Sequence, residues 1–472
     1  MAGYGIEYAG DYNLEDITLT TSSGAIIPLK NITLEINLFE DIFNHGMSGS
    51  IIVIDSVNVL PLAPIIGQDY ISFKITTPTL QESKSTTIDF SEKPFCVYKI
   101  GLREKASQNS QVFELHFVSP ELLKNLRTRV SKSYNDNIHN IVEDILRKDK
   151  TLIDSRKDLF IEETSGIRKM VVPNLHPYDC IKNFATESIS SKHKSPHFLF
   201  YETTKGIHFR SLESLYAQDI AGEYHSGVIG HHGADVRGKT SDIEQDFKRT
   251  ITDEVTSNND MIGNIKGGML GSKVIVHDIY NKNYETKEYK YFDDFKKFPR
   301  VNYDDKTRDN PIYNDVVIDD KNNTIGSFSN ARIHLHPTST TTDYLDAQHY
   351  EKSSKTYPYT SNKIQDWLLH RQAKFMELTS GNSINLLING NTTVEAGQRI
   401  VFNKTQDKDE AINFHSGVFI IKSLRHIFMQ ATQKHEIALT VVKDSLDKTL
   451  PVFNEIPEPV GKTGTIVTGF YD

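Results

Sequence analysis

The side chains best suited to chemistry here are histidines, carboxylates and two cysteines, and their spacing limits what they can do. His231-His232-Gly233-Ala234-Asp235 comes nearest to a metal cluster. Neighbouring strand residues point to opposite faces, so both imidazoles cannot meet one ion without a bend, and a polar loop is the expectation. His193 and His197 have the four-residue spacing of a helical ligand pair, but Pro196 between them spoils a helix. His334-Leu335-His336 puts two imidazoles on one strand face, which reads as a solvated face. Gly263-Asn264-Ile265-Lys266-Gly267-Gly268 lacks the Lys-Ser/Thr ending of a phosphate cradle and is expected before a strand rather than a helix. The pairs Glu162/Glu163, Asp293/Asp294 and Asp304/Asp305 are unremarkable among 62 acidic residues. A glycosidase needs two carboxyls at a set separation across a cleft, which a sequence does not display. Neither a Gly-x-Ser-x-Gly elbow nor a cysteine in a nucleophile signature occurs. The expectation is a protein that is not an enzyme, with no catalytic, cofactor-binding or metal-binding residues and no cofactor.

Bulk properties narrow the class further. The net charge is −9 and no Lys/Arg block stands out, so a grip on nucleic acid by phosphate neutralisation is not expected. Cys96 and Cys180 are far apart and outside any CxxC or Cys/His cluster, which reads as free thiols in a reducing compartment. No basic region followed by an apolar core opens the chain, and the longest apolar runs, such as Val59 to Ile66, are too short to span a membrane and contain Pro. Folding in the cytoplasm is expected.

The elements that would position any site are mostly strands. Ile32, Leu34, Ile36 and Leu38 alternate with Thr33, Glu35 and Asn37. Phe95 to Leu102 and Val112 to Val118 read as a hairpin. Residues 121–240 read as an α/β insert, with helices at Asn137 to Arg147 and Pro177 to Ser188 and a hairpin of Phe198 to Glu202 with Ile207 to Arg210. A further helix is expected from Ile364 to Leu378. Pro451, Pro457, Pro459, Gly461 and Gly464 make residues 449–472 an extended C-terminal arm, expected to find structure on a partner.

Part of this pattern is written twice. Gly46-Met47-Ser48-Gly49-Ser50 returns as Gly268-Met269-Leu270-Gly271-Ser272. Gly67-Gln68 returns as Gly397-Gln398, and Lys99 to Arg103 answers to Lys422 to Arg425. Phe113 to Leu122 answers to Ile437 to Leu446. Four matches in one order indicate an internal duplication. The fold class expected is β-rich α+β: two duplicated tube-like antiparallel β-barrel modules with α/β insertions. The first barrel is placed at 15–120 and the second at 241–290 plus 379–448, with an insertion at 291–378. Gly46/Gly268 and Gly67/Gly397 are expected to be equivalent, and Met47 and Met269 to be buried at tight corners.

Asn389-Gly390-Asn391-Thr392, Ala396-Gly397-Gln398 with Phe402, Ser416-Gly417-Val418-Phe419 through His426, and Ala438 to Asp444 form a sequence that resembles the last strands of the central baseplate hub protein of contractile-tailed, myovirus-type bacteriophages. That family is related to the hub part of type VI secretion spikes. Gln398 stands where Asp is common, and Phe419 comes one residue later than the pattern has it.

The resemblance implies a homotrimer whose two tube-like modules per subunit make a pseudo-six-fold ring, joining the tail tube to the central spike and helping to initiate the tube. Its partners would be the spike and tail tube proteins, with baseplate wedge and tape-measure proteins as further contacts. Its place would be the baseplate of the virion tail, after assembly in host cytoplasm. A ring held by strands should be indifferent to reductant and chelator, and an acidic channel should let DNA pass without binding it. The alternatives are a tail-tip hydrolase acting on cell-wall polymer and a tail-tip receptor-binding β protein.

Overall fold

The structure is a computed structural model. It describes residues 8–56, 65–78, 86–105, 110–226, 243–257, 259–278, 282–302, 310–318, 321–338, 363–404 and 414–446. His231-His232, Asp304/Asp305 and the 449–472 arm lie outside the described residues.

Alternating apolar residues build the first eight strands: β1 (Asn13–Thr20), β2 (Ile26–Pro28), β3 (Thr33–Asp41), β4 (Ser48–Asp55), β5 (Tyr70–Thr77), β6 (Thr86–Asp89), β7 (Phe95–Lys105) and β8 (Gln111–Val118). Every second residue of β5 turns inward, so that Ile71, Phe73 and Ile75 are buried. They pack with Ile51, Leu115 and Phe117 in one core. Five strands follow in the middle of the chain: β9 (Ser133–Asn137), β10 (Asp158–Ile161), β11 (Ile167–Val171), β12 (Phe198–Glu202) and β13 (Gly206–Ser211). Strands β9 and β11 pair with each other, and β10, β13 and β12 form a small mixed sheet. The helix Pro177–Glu187 begins with Pro in its first turn and buries Ile181 and Phe184 against this unit.

The remaining strands are β14 (Ile220–His225), β15 (Thr250–Val255), β16 (Gly271–Asp278), β17 (Asn283–Lys290), β18 (Ile333–Thr338), β19 (Asn382–Asn389), β20 (Arg399–Asn403), β21 (Gly417–Met429) and β22 (Lys434–Lys443). Six of them repeat the first half. The order β3-β4-β8-β7-β5-β1 is matched by β15-β19-β22-β21-β20-β14, within one 14-stranded sheet. Irregularities also coincide. A bulge separates Thr33 and Glu35 where β3 pairs with β4, and another separates Thr250 and Thr252 where β15 pairs with β19. Tyr98 is skipped between Val97 and Lys99 in β7, as Lys422 is between Ile421 and Ser423 in β21. Bulges re-aim a strand, so matching bulges mean matching curvature. One pairing departs: β1 runs antiparallel to β5, but β14 runs parallel to β20.

Two expectations need correction. Gly268 to Asp278 is not the counterpart of Gly46 to Asp55. Strand β16 pairs with β17 and β18 in a separate sheet, and β19 fills the place of β4. The reason lies in packing: Val274 and Val276 of β16 sit with Leu369 and Ala373 of the helix Ile364–Ser380. The second core takes Ile384, Leu386 and Ile388 of β19 instead. Part of 241–290 therefore belongs with 291–378, while β14 leaves the 121–240 segment to join the second sheet half. The alignments at Gly67/Gly397 and Lys99/Lys422 are also one residue off. Register sets Tyr70 of β5 opposite Cys96 and Arg399 of β20 opposite Ile420, so Arg399, not Ile400, corresponds to Tyr70. The turn glycines still serve one purpose, with φ of 79° at Gly67 and 88° at Gly397. Met47 and Met269 are both buried, as expected.

The second module encloses a histidine pair. His426 Nδ1 lies 3.0 Å from His435 Nε2, both rings are fully buried, and Phe428 stacks on His435. Burial pushes His426 down to about 3 and, with His426 beside it, His435 well below its usual value. Both rings are therefore neutral. Gly390 sits so close to the His435 ring that a Cβ there would strike it. The folded pKa values lie below the unfolded value of 6.5, so this pair stabilises fully above that pH and loses its contribution as pH falls. Urea midpoints should therefore drop between pH 7 and pH 5, more steeply in the natural chain than in His426→Gln. Gly390→Ala should cost roughly 1–3 kcal/mol in the same assay at pH 7.

Candidate assembly site

The two modules meet at one strand seam. Strand β3 pairs antiparallel with β21 over seven rungs, from Ser423 opposite Asp41 to Met429 opposite Glu35. Phe428 crosses the seam into the first core and meets Tyr12 edge-on at 5.2 Å. Arg425 donates to Asn37 Oδ1 at 2.9 Å and to Glu35 Oε1 at 3.1 Å.

Buried charges lock the inserts to the modules. Just past β8, Ser119 donates to Glu202 Oε1 at 2.8 Å, and Lys157 pairs with Glu202 and, at 3.0 Å, with Glu121. The Met47 N–H donates to the other Glu202 oxygen at 3.0 Å. Burial opposes the Lys157 charge, but Glu202 and Glu121 outweigh it and raise its pKa. Just past β22, Asp444 pairs with Lys374, lies 3.8 Å from Arg300 and accepts from the Val301 N–H at 2.9 Å. Burial works against the Asp444 carboxylate, yet the two cations hold its pKa below the usual range. Each module therefore ends its last long strand in an ion cluster shared with an insert. A third carboxylate, Glu40 at the end of β3, accepts from the Ala396 N–H at 2.9 Å and the Thr204 N–H at 2.6 Å. It ties both modules and the middle unit at one point, and burial raises it to about 7.

Two of the open strand edges lie in the modules at positions that correspond to the two sides of the seam. Beyond Val97, the ladder pairings of β7 among the described residues are with β8 alone, and those of β15 are with β19. Tyr98 and Leu102 on β7 are about half exposed, at 49% and 50%. Such edges invite another chain.

The residues singled out by chemistry do not converge. His197 is fully buried and bonds Glu213 at 2.6 Å, while His193 stands apart on the wall of a cavity with Lys297 and Trp367. His334 and His336 do share a face, their rings 6.3 Å apart. No group of three metal-ligating side chains occurs among the described residues. The glycine-rich stretch forms the helix Met261–Gly267, closed by Gly268 at φ 84°, and it precedes a strand, β16, as expected. Glu162 accepts from Ser190 and Ser211. Cys96 and Cys180 are free and buried, and burial lifts the Cys180 thiol to about 12. No described helix is long and apolar enough to cross a membrane. The buried ion clusters were invisible because their members are scattered along the chain. Their only local trace is a polar pair directly after an apolar strand, Ser119 with Glu121 and Asp444 with Ser445.

Lys157→Met should leave Glu121 and Glu202 buried without a cation and cost about 3–5 kcal/mol at pH 7. Part of that loss should return as pH falls toward 5 and a carboxylate takes up a proton. Denaturant unfolding at the two pH values reads both effects.

No known protein-family profile matches the chain. In sequence, the probable baseplate hub protein gp334 of Vibrio phage KVP40 is 26% identical over 151 residues, 32% of this chain and 34% of that protein. The match thus spans about a third of that relative's length. In structure, the tail protein from Neisseria meningitidis MC58 superposes with TM-score 0.50 and 9% identity, covering 93% of this chain and 97% of that one. The 43 kDa tail protein of prophage MuSo2 from Shewanella oneidensis gives TM-score 0.50 and 9% identity, covering 91% and 98%. The chain has the β-rich fold of these tail proteins and, over about a third of its length, sequence likeness to a probable phage baseplate hub protein.

Proposed function

We propose that this chain is a non-enzymatic baseplate hub subunit of a contractile phage tail. Strands β1 to β8 form one tube-like module, and β14, β15 and β19 to β22 form the second. Three chains make a ring of six similar modules. One face of the ring carries the six-fold tail tube and helps initiate it, and the other seats the three-fold central spike. Wedge and tape-measure proteins are further contacts. The place of action is the virion tail baseplate, after assembly in host cytoplasm.

The observation that carries this reading is the repeated strand order, with its bulges at matching positions, inside one continuous sheet. Two similar modules per chain let three-fold symmetry imitate six-fold symmetry. A net charge of −9 suits a channel past which DNA slides without being held.

Light scattering on the purified chain tests the reading. The expected mass is three times 53.6 kDa, unchanged by reductant or chelator, with a ring and central channel in negative-stain images. A monomer at all concentrations, or hydrolysis of cell-wall polymer by the isolated chain, overturns it.

A further inference from the structure

The seam inside the chain is a template for a seam between chains. Its donor of one edge is β3 of module one, and its donor of the other is the C-terminal half of β21 in module two. The strand in β3's place in module two is β15, and the strand in β21's place in module one is β7. Both of these edges, that of β7 beyond Val97, are without a second ladder among the described residues. Resting on the hub reading above, we propose that β15 of one chain pairs antiparallel with the C-terminal half of β7 of a second copy, closing the ring by strand addition.

The in-chain registers fix the new one. Val118 and Val442 occupy the same place, since Ser48 of β4 and Ser383 of β19 face them. Cys96 and Ile420 pair with these valines, so Ile100 corresponds to Leu424. Past the wider bulge between Ile100 and Arg103, Arg103 faces Phe113 as His426 faces Ile437. The matched bulges after Thr33 and Thr250 equate Asn37 with Glu254 and Glu40 with Ser257. Transferring the in-chain pairs Leu424–Glu40 and Ile427–Asn37 sets Ile100 opposite Ser257 and Glu104 opposite Glu254, with Lys105 opposite Asp253 on the next rung. The exposed Tyr98 and Leu102 fall on this edge, where a neighbouring strand would cover them. Opposed carboxylates at Glu104 and Glu254 weaken the pairing slightly, and Asp253 across from Lys105 already holds Ser226 and Lys404 within its own chain.

The test is disulfide formation in the full chain carrying Glu104→Cys and Glu254→Cys. Cys96 and Cys180 are buried, so the natural chain under the same oxidation is the control. On a non-reducing gel the double variant should convert to covalent dimers and trimers. A mixture of the two single variants should stop at dimers, because the contact runs head to tail. Glu104→Cys with Thr252→Cys, two residues out of register, should crosslink roughly tenfold less, since opposed Cβ atoms alone reach disulfide distance. A trimer by light scattering that fails to crosslink, or that crosslinks equally with both pairs, overturns this register and leaves the hub reading standing. A chain that stays monomeric at every concentration overturns both. Circular dichroism and a urea midpoint for each variant show that a lost crosslink is not a lost fold.

Discussion

The antiparallel ladder between β3 and β21 is the constraint on which the molecule turns. Without it the chain would be an eight-stranded unit and a six-stranded unit on a string. With it the strands form one sheet, and Phe428 of one module becomes part of the other's core. A ladder alone is a modest tie, because each hydrogen bond replaces one to water. Its rigidity comes from what sits at its ends. Arg425 clamps Asn37 and Glu35 at one stretch, and Glu40 holds the Ala396 and Thr204 amides at the other.

The ion clusters at Ser119 and Asp444 extend the same logic to the inserts. Burying charges costs several kcal/mol per ion unless geometry and hydrogen bonds compensate, so such clusters are poor sources of raw stability. Their use lies in intolerance of misplacement. A shift of the middle unit by a few ångströms would strand Lys157 without a carboxylate, and a shift of the helix Ile364–Ser380 would strand Lys374. Two inserts of different fold are thereby pinned at corresponding ends of corresponding strands.

Much of the fold was legible from period-two alternation and from punctuation by Gly and Pro. The β7–β8 and β12–β13 hairpins, the helix from Pro177 and the helix from Ile364 fall where those signals place them. The duplication was legible too, but its detail was not. Gly-Met-x-Gly-Ser marks a corner before a strand in both places without saying which sheet the strand joins. That choice was made by Val274 and Val276 packing under a helix about a hundred residues away, a contact with no local signature. The one-residue slips at Lys99 and Arg399 arose because identical residue types, Lys with Lys and Gly with Gly, were aligned, while the ladder registers set Lys99 with Ser423 and Tyr70 with Arg399. The candidate site was illegible for the same kind of reason. A free strand edge is defined by what fails to pair with it, and composition carries no mark of that.

The discontinuity of the second half bears on how the molecule comes into being. Strands β1 to β8 are contiguous, so that half can condense while the ribosome is still adding the middle of the chain. Its β3 edge must then wait for residues 423–429, nearly the last part of the sheet to be made. Throughout that interval the nascent protein carries a row of unsatisfied amides and carbonyls beside an apolar gap that Phe428 will later fill. Contacts so distant in sequence form slowly. The period of synthesis is thus the time at which this chain is most exposed to pairing with the wrong partner, and the feature that makes the finished sheet continuous is also the one that makes its assembly depend on timing.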